Sequence, residues 1–164
     1  MKRFVVSSTV ALTVALLAAC SSTSDEAGAA AGAGAGSAAT STASYAPGSA
    51  AEFQAVVGDR VFFDFDSYAL APVAQDTLRK QAAWLKKYPE RKLNVEGHAD
   101  ERGTREYNLA LGERRANSVR EFLLAQGVNG ARLMTVSYGK ERPTCTEAAE
   151  ACWSQNRRGV SVVE

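Results

Sequence analysis

The sequence is short of the residues that most chemistry needs. It has a single histidine, His98, and three cysteines, at positions 20, 145 and 152. A zinc site draws three or four ligands from His, Cys and carboxylates. One histidine with Asp100 two residues on, and one pair of cysteines with no histidine near them, do not make that set. No C-x-x-C redox pair, nucleophile elbow or zinc signature occurs, so no cofactor and no metal are expected. Charge of neither sign is in excess: 19 Lys and Arg face 18 Asp and Glu. The missing basic surplus argues against nucleic acid as a partner. No apolar run comfortably reaches the roughly 20 residues that a membrane-spanning helix takes. There is no internal repeat, and 164 residues leave room for one domain plus appendages.

What is present begins with Lys2 and Arg3, followed by a largely apolar stretch from Phe4 to Ala19 broken by Ser7, Ser8, Thr9 and Thr13. A positive start and a short apolar run read as a secretion signal over 1–19. Leu17-Ala18-Ala19-Cys20 resembles a lipobox. The resemblance implies that Cys20 becomes the first residue and is acylated on thiol and amine, which meets the need for more than one acyl chain in a stable anchor. Ser21 in place of Asp implies sorting to the outer membrane, with the chain facing the periplasm. Without Lys2 and Arg3 the chain carries 17 basic and 18 acidic residues, close to −1. Residues 20–51 are Ala, Gly, Ser and Thr with few large apolar side chains, too few to offset the entropy of ordering. They read as a flexible tether, about 30 Å from end to end and roughly 100 Å when stretched.

The folded domain is expected over 52–164. Val61 to Asp66 alternates and reads as a strand with Val61, Phe63 and Phe65 on one face. Pro72 suits a helix's first turn, and Ala74, Leu78, Ala82 and Leu85 mark its buried face before Pro89 stops it. A second strand is expected over 91–98. Thr104 is a good N-cap for a helix over 104–126, with Leu109, Gly112, Ala116, Val119 and Leu123 as its buried stripe and Gly127 just past its end. Strands over 132–138 and 158–163 follow. Met134, Val136 and Tyr138 alternate in the former, Val160 and Val162 in the latter. The order β-α-β-α-β-β predicts an α+β two-layer sandwich, both helices on one face of a mixed sheet. Gly112, with no side chain, would let a neighbouring element approach closely.

Two charges flank the second strand and the long helix. Asp100 lies in the loop past the strand, and Arg115 lies about three turns into the helix, at the edge of the buried stripe. If the loop folds back, both reach one pocket. Such a pair fits a zwitterion: Asp100 takes an ammonium, and Arg115 takes a carboxylate in a bidentate pair. The loop N–H groups at the helix start also suit an anion. Neither side chain is expected to be needed for folding. A surface salt bridge worth little is the plain alternative. Glu96 and Asp100 as a hydrolytic carboxylate pair is a further one, without a nucleophile or metal set to accompany it.

The string GHADERGTREYNLALGERRANSVR from Gly97 to Arg120, with Ser137-Tyr-Gly-Lys-Glu-Arg-Pro143 and Asn156-Arg-Arg158, resembles the OmpA-like C-terminal domain family and, within it, the peptidoglycan-associated lipoproteins. The match covers roughly Val56 to Val163. It implies non-covalent binding of the diaminopimelate stem peptide of peptidoglycan, with Asp100 and Arg115 holding the zwitterionic end. It implies a pocket wall from Asp64, Phe65, Asp66 and Ser67, and further contacts from Ala99, Tyr107, Asn108, Leu111 and Arg158. His98 is expected to hold the Asp100 loop by hydrogen bonding at the strand end. The resemblance also implies partnership with TolB and other Tol proteins and a part in cell division. A cell-wall hydrolase, or a stator-like wall anchor, is the alternative. Stators carry a transmembrane helix where this chain has a lipobox.

Cys145 and Cys152 fall in a polar loop behind a secretion signal, so a disulfide is the default there. Closing so small a loop stabilises by roughly 2–3 kcal/mol at most.

Overall fold

The computed structural model describes residues 45–164. The expected signal over 1–19, the lipidation candidate Cys20 and most of the expected tether lie outside the described residues. Among the described residues, no helix is long and apolar enough to cross a membrane.

Ordered chain reaches back past the boundary expected at residue 52. Ser49 caps a short helix, α1 (Ala50–Glu52), its Oγ accepting from the Glu52 N–H, and the chain continues as a π-type turn over Phe53–Val57. Phe53 is buried edge-on against Trp84, ring centroids 4.8 Å apart. The Glu52 carboxylate accepts from the Gly48 N–H, the Trp84 indole and the Tyr88 hydroxyl, which holds its pKa below the ordinary range. Ser49-Ala-Ala reads like the small-residue stretch before it, so composition did not mark this start.

The remaining elements are β1 (Arg60–Phe62), α2 (Pro72–Lys87), β2 (Leu93–His98), α3 (Arg105–Ala125), β3 (Leu133–Gly139), α4 (Glu150–Asn156) and β4 (Arg158–Val163). Helix α4 is a further addition to the expected order, a seven-residue helix inside what the sequence shows only as a polar loop. The sheet runs β1-β4-β2-β3. Strand β4 is antiparallel to both neighbours, while β2 and β3 are parallel. Leu93 and Val95 point at α2 and α3 and share one core with Phe63, Leu78, Leu85, Val119 and Leu123. Met134, Val162 and Phe62 are exposed on the face the two long helices leave open.

Three sequence expectations change. Strand β1 ends at Phe62, because Asp64 and Ser67 give their carbonyls to Arg115 and not to a ladder. Phe65 is 61 % exposed, not on the Val61–Phe63 face. Leu109 is 49 % exposed: the α3 backbone there presses on the end of β3, where the Ser137 hydroxyl donates to the Leu109 carbonyl, and the side chain is turned to a surface groove. Asn108, Leu111 and Arg115 take buried positions on α3 in its place.

Helix α3 sits on β2 through two glycines. A Cβ on Gly97 would lie 1.8 Å from the Gly112 carbonyl oxygen, and one on Gly112 would lie 2.8 Å from the Gly97 carbonyl oxygen. A Cβ on Gly112 would first meet the Ser137 hydroxyl, but everything close to a Cβ on Gly97 is Gly112 backbone, so at Gly97 no flexible side chain can give way. Gly97→Ala is expected to destabilise the domain by about 3 kcal/mol or more, or to prevent folding. Urea unfolding followed by circular dichroism measures this, and a shift under about 1 kcal/mol would contradict it.

Candidate functional site

Arg115 is fully buried, which a position at the edge of an apolar stripe does not suggest. Its guanidinium donates to three carbonyls: Nε to Ser67 (2.8 Å), Nη1 to His98 (2.8 Å) and Nη2 to Asp64 (3.1 Å). The Phe63 ring lies 5.2 Å from it. Burial lowers its pKa to about 10, with Asp100 acting in the other direction, so the group remains a cation at neutral pH. Three of five N–H donors are thus engaged, and the guanidinium lines a pocket.

Asp100 is 5 % exposed and does not bond to Arg115. Its Oδ1 accepts from the Arg102 backbone N–H (3.1 Å) and Nε (3.2 Å). Its Oδ2 accepts from Arg102 Nη2 (2.6 Å) and Arg157 Nη1 (3.3 Å). Burial by itself would raise the Asp100 pKa. The arginine contacts outweigh it, and the carboxyl titrates below its ordinary value. Arg157 is itself buried, donates Nε to the Phe63 carbonyl (3.1 Å) and pairs with Glu150. The Arg102 guanidinium carbon lies over both the Phe65 and Trp153 rings, 4.1 Å from each centroid.

Around these charges lies a cavity of about 170 Å³. The turn after β1 supplies Phe65 and Asp66, the loop after β2 supplies Asp100, Arg102 and Gly103, and α3 supplies Tyr107, Asn108, Leu111 and Arg115. Local chemistry fixes each wall. Thr104 caps α3 by accepting from the Tyr107 N–H, as expected. Lys140 donates to the Glu101 and Gly103 carbonyls and ties the loop to the end of β3. Asn108 donates to the Arg102 carbonyl at 2.7 Å. Asp66 adopts φ +52°, a conformation Asp tolerates, and accepts from the Tyr107 hydroxyl across the pocket. That bond raises the Tyr107 pKa.

Seven of the sequence candidates therefore line one cavity: Asp100, Arg115, Phe65, Asp66, Tyr107, Asn108 and Leu111. Asp64 and Ser67 meet it only through carbonyls given to Arg115. Ala99 is buried and pinned by its N–H to the Gly139 carbonyl. Arg158 is a correction: it pairs with Phe62 on the open side of the sheet and donates to the Arg142 carbonyl. The neighbouring Arg157 is the one that reaches Asp100, since adjacent residues at a strand start point to opposite sides. His98 is a second correction. Its carbonyl holds Arg115, but its imidazole is buried near Tyr138 with neither nitrogen hydrogen-bonded, so it does not tie the Asp100 loop. Arg102, Glu150, Trp153 and Arg157 were not singled out by sequence. Apart from the paired arginines of Asn-Arg-Arg, no periodic signal marks them.

Cys145 and Cys152 are disulfide-bonded, Cα atoms 5.0 Å apart. The bridge closes the loop onto α4, the helix that carries Glu150 and Trp153. Among the described residues, no cluster of three or more His, Cys, Asp or Glu could hold a metal ion.

The sequence model of the OmpA family matches residues 62–157. The chain belongs to the OmpA family. It is 57 % identical over 117 residues to the peptidoglycan-associated lipoprotein of Brucella melitensis, covering 71 % of this chain and 70 % of that one. It is 57 % identical over 120 residues to the protein of the same name from Agrobacterium fabrum, covering 73 % and 68 %. The crystal structure of the peptidoglycan-associated lipoprotein from Burkholderia pseudomallei superposes with a TM-score of 0.64 at 46 % identity, over 65 % of this chain and 90 % of that one. The mixed four-stranded sheet with helices packed on it is an OmpA-like α+β fold.

Arg115 carries a structural duty that its place in the sequence hides. Arg115→Met would orphan three carbonyls and is expected to cost at least about 3 kcal/mol in urea unfolding, where Asp100→Asn stays folded. A fully stable Arg115→Met domain would contradict this. His98 gives a pH signature. Burial, reinforced by Arg158 and Arg142, lowers its pKa from 6.5 to about 4. The Glu96 carboxylate at 3.5 Å pulls the other way but is too far to hydrogen-bond. The unfolded chain then takes up the proton first, so this stability is present above pH 6.5 and lost as pH falls through 4, up to about 3 kcal/mol. Unfolding free energy from pH 7 to 4 is expected to fall more steeply for wild type than for His98→Leu, and parallel profiles would count against it.

Proposed function

We propose that this chain is an outer-membrane lipoprotein that binds peptidoglycan non-covalently. The pocket takes the free zwitterionic end of a diaminopimelate stem peptide. The observation that carries this reading is a small cavity with a buried guanidinium and a buried carboxylate on its walls, neither bonded to the other. At about 170 Å³ it falls below the roughly 300–1,000 Å³ of sites for drug-sized ligands, and it suits one amino-acid head group. Arg115 offers its two remaining N–H donors to the ligand carboxylate, Asp100 receives the ammonium, and Leu111 packs on the aliphatic stem. The names of the curated relatives support association with peptidoglycan.

The role is attachment without bond chemistry. The buried Asp100 carboxyl is committed to two arginines and its pKa lies low, so it stands ionised at neutral pH and does not serve as a general acid. A flexible tether from a lipidated Cys20 would let the domain reach the wall from the outer membrane. Partnership with TolB and other Tol proteins, and a part in division, belong to the same reading. Exposed Phe65, Tyr68 and Tyr107 with Arg114 form a rim of the residue types that dominate protein interfaces. A protein seated there would cover the pocket.

Isothermal titration of the domain with a diaminopimelate-containing stem peptide is expected to show binding, with none to a lysine-containing control. Asp100→Asn is expected to lose on the order of 2–5 kcal/mol of that affinity and to leave sacculi in a pull-down while remaining folded. Equal binding of both peptides, or wild-type pull-down of Asp100→Asn, would overturn the assignment.

A further inference from the structure

Asp100 has no vacant side. Both oxygens are occupied by protein cations, in four hydrogen bonds of 2.6–3.3 Å. A ligand ammonium reaches this carboxylate only by displacing one of them. The two arginines differ in how they are held. Arg157 has a 7 % exposed side chain and is fixed by the Phe63 carbonyl and by Glu150. Arg102 has a 32 % exposed side chain and lies in a slot whose walls are aromatic faces. Glu150 Oε2 lies 3.8 Å from Arg102 Nη2, on the outer side. The ring faces confine the guanidinium, and the nitrogen that bonds Asp100 already has this second, exposed carboxylate within reach.

We propose that Arg102 occupies the ammonium subsite in the unliganded protein, and that ligand binding is an exchange in which the ligand's ammonium takes Asp100 while the Arg102 guanidinium moves between Phe65 and Trp153 toward Glu150. This rests on the stem-peptide reading of the pocket. The exchange keeps the buried carboxylate paired throughout, so no bare charge is left in the interior. It also makes Arg102 a specificity-determining residue. A ligand that brings no cation has nothing to set in place of the guanidinium, so neutral and purely anionic groups are turned away. The competition lowers apparent affinity by the fraction of molecules in which Arg102 is seated.

The backbone contacts of Arg102 do not depend on its side chain: its N–H donates to Asp100, and its carbonyl accepts from Asn108. Arg102→Gln therefore removes the plug and leaves the loop tied. Two measurements test the exchange. In titration with the diaminopimelate stem peptide, Arg102→Gln is expected to bind about tenfold tighter than wild type, since a charge-assisted contact no longer has to be broken. In the unliganded proteins, the Asp100 carboxyl followed by carbon NMR is expected to titrate at higher pH in Arg102→Gln than in wild type. That readout reports the pairing itself and not loop stability. Wild-type binding with equal or weaker binding by Arg102→Gln overturns the exchange and leaves the stem-peptide reading standing. An unmoved Asp100 titration also overturns it. No binding by either protein overturns the stem-peptide reading and the exchange with it.

Discussion

One buried cation holds the site together. Arg115 stands on α3 and donates to carbonyls from the turn after β1 and from the last residue of β2. These segments come from three places in the sequence, and hydrophobic packing alone would not fix their relative positions, because it has no direction. A planar guanidinium with donors at set angles does. It ends β1 early, turns Asp66 into a left-handed conformation and aims Phe65 outward, where the ring stacks on Arg102. The desolvation cost of this charge is offset by three short carbonyl contacts and a nearby aromatic ring. The same group that would read a carboxylate is thus also the fastener of the walls around it.

The second constraint is the bare contact of Gly97 with Gly112. It lets α3 lie against β2 with no side chain between them and so sets the depth at which Arg115 enters the layer. Around the rim, a chain of alternating charges runs from Asp100 through Arg102 and Arg157 to Glu150. It joins the loop after β2 to the disulfide-bridged segment before β4. The three stretches that line the pocket, and the segment before β4 behind them, are thus joined by arginines.

Much of this was legible in the sequence because the signals were local. Strand alternation placed β2, β3 and β4 to within a residue or two, Pro72 and Thr104 marked the starts of α2 and α3, and Gly112 announced a close approach. Opposed charges at Asp100 and Arg115 pointed to the cavity. What was not legible depends on distant partners. Periodicity treats Arg115 as an edge residue because it cannot know that three carbonyls converge there. Leu109 fits the apolar stripe but loses its place to the end of β3. Arg158 and Arg157 are equivalent as letters, and only the register of β4 decides which faces Asp100. Helix α4 is too short to show a period, and the role of Trp153 exists only because Arg102 sits beneath it.

The sheet order has a consequence for timing. Strand β4 follows every other strand in sequence, yet lies between β1 and β2 and supplies the antiparallel partner of both. Until residues 158–163 arrive, β1 has no neighbour to pair with and β2 has only β3. Pairing Arg60 with Val160 closes a loop of almost the whole domain, the kind of contact that forms late and slowly. A chain delivered from its N-terminal end thus stays open along most of its length. The sheet snaps shut only when its central plank is delivered.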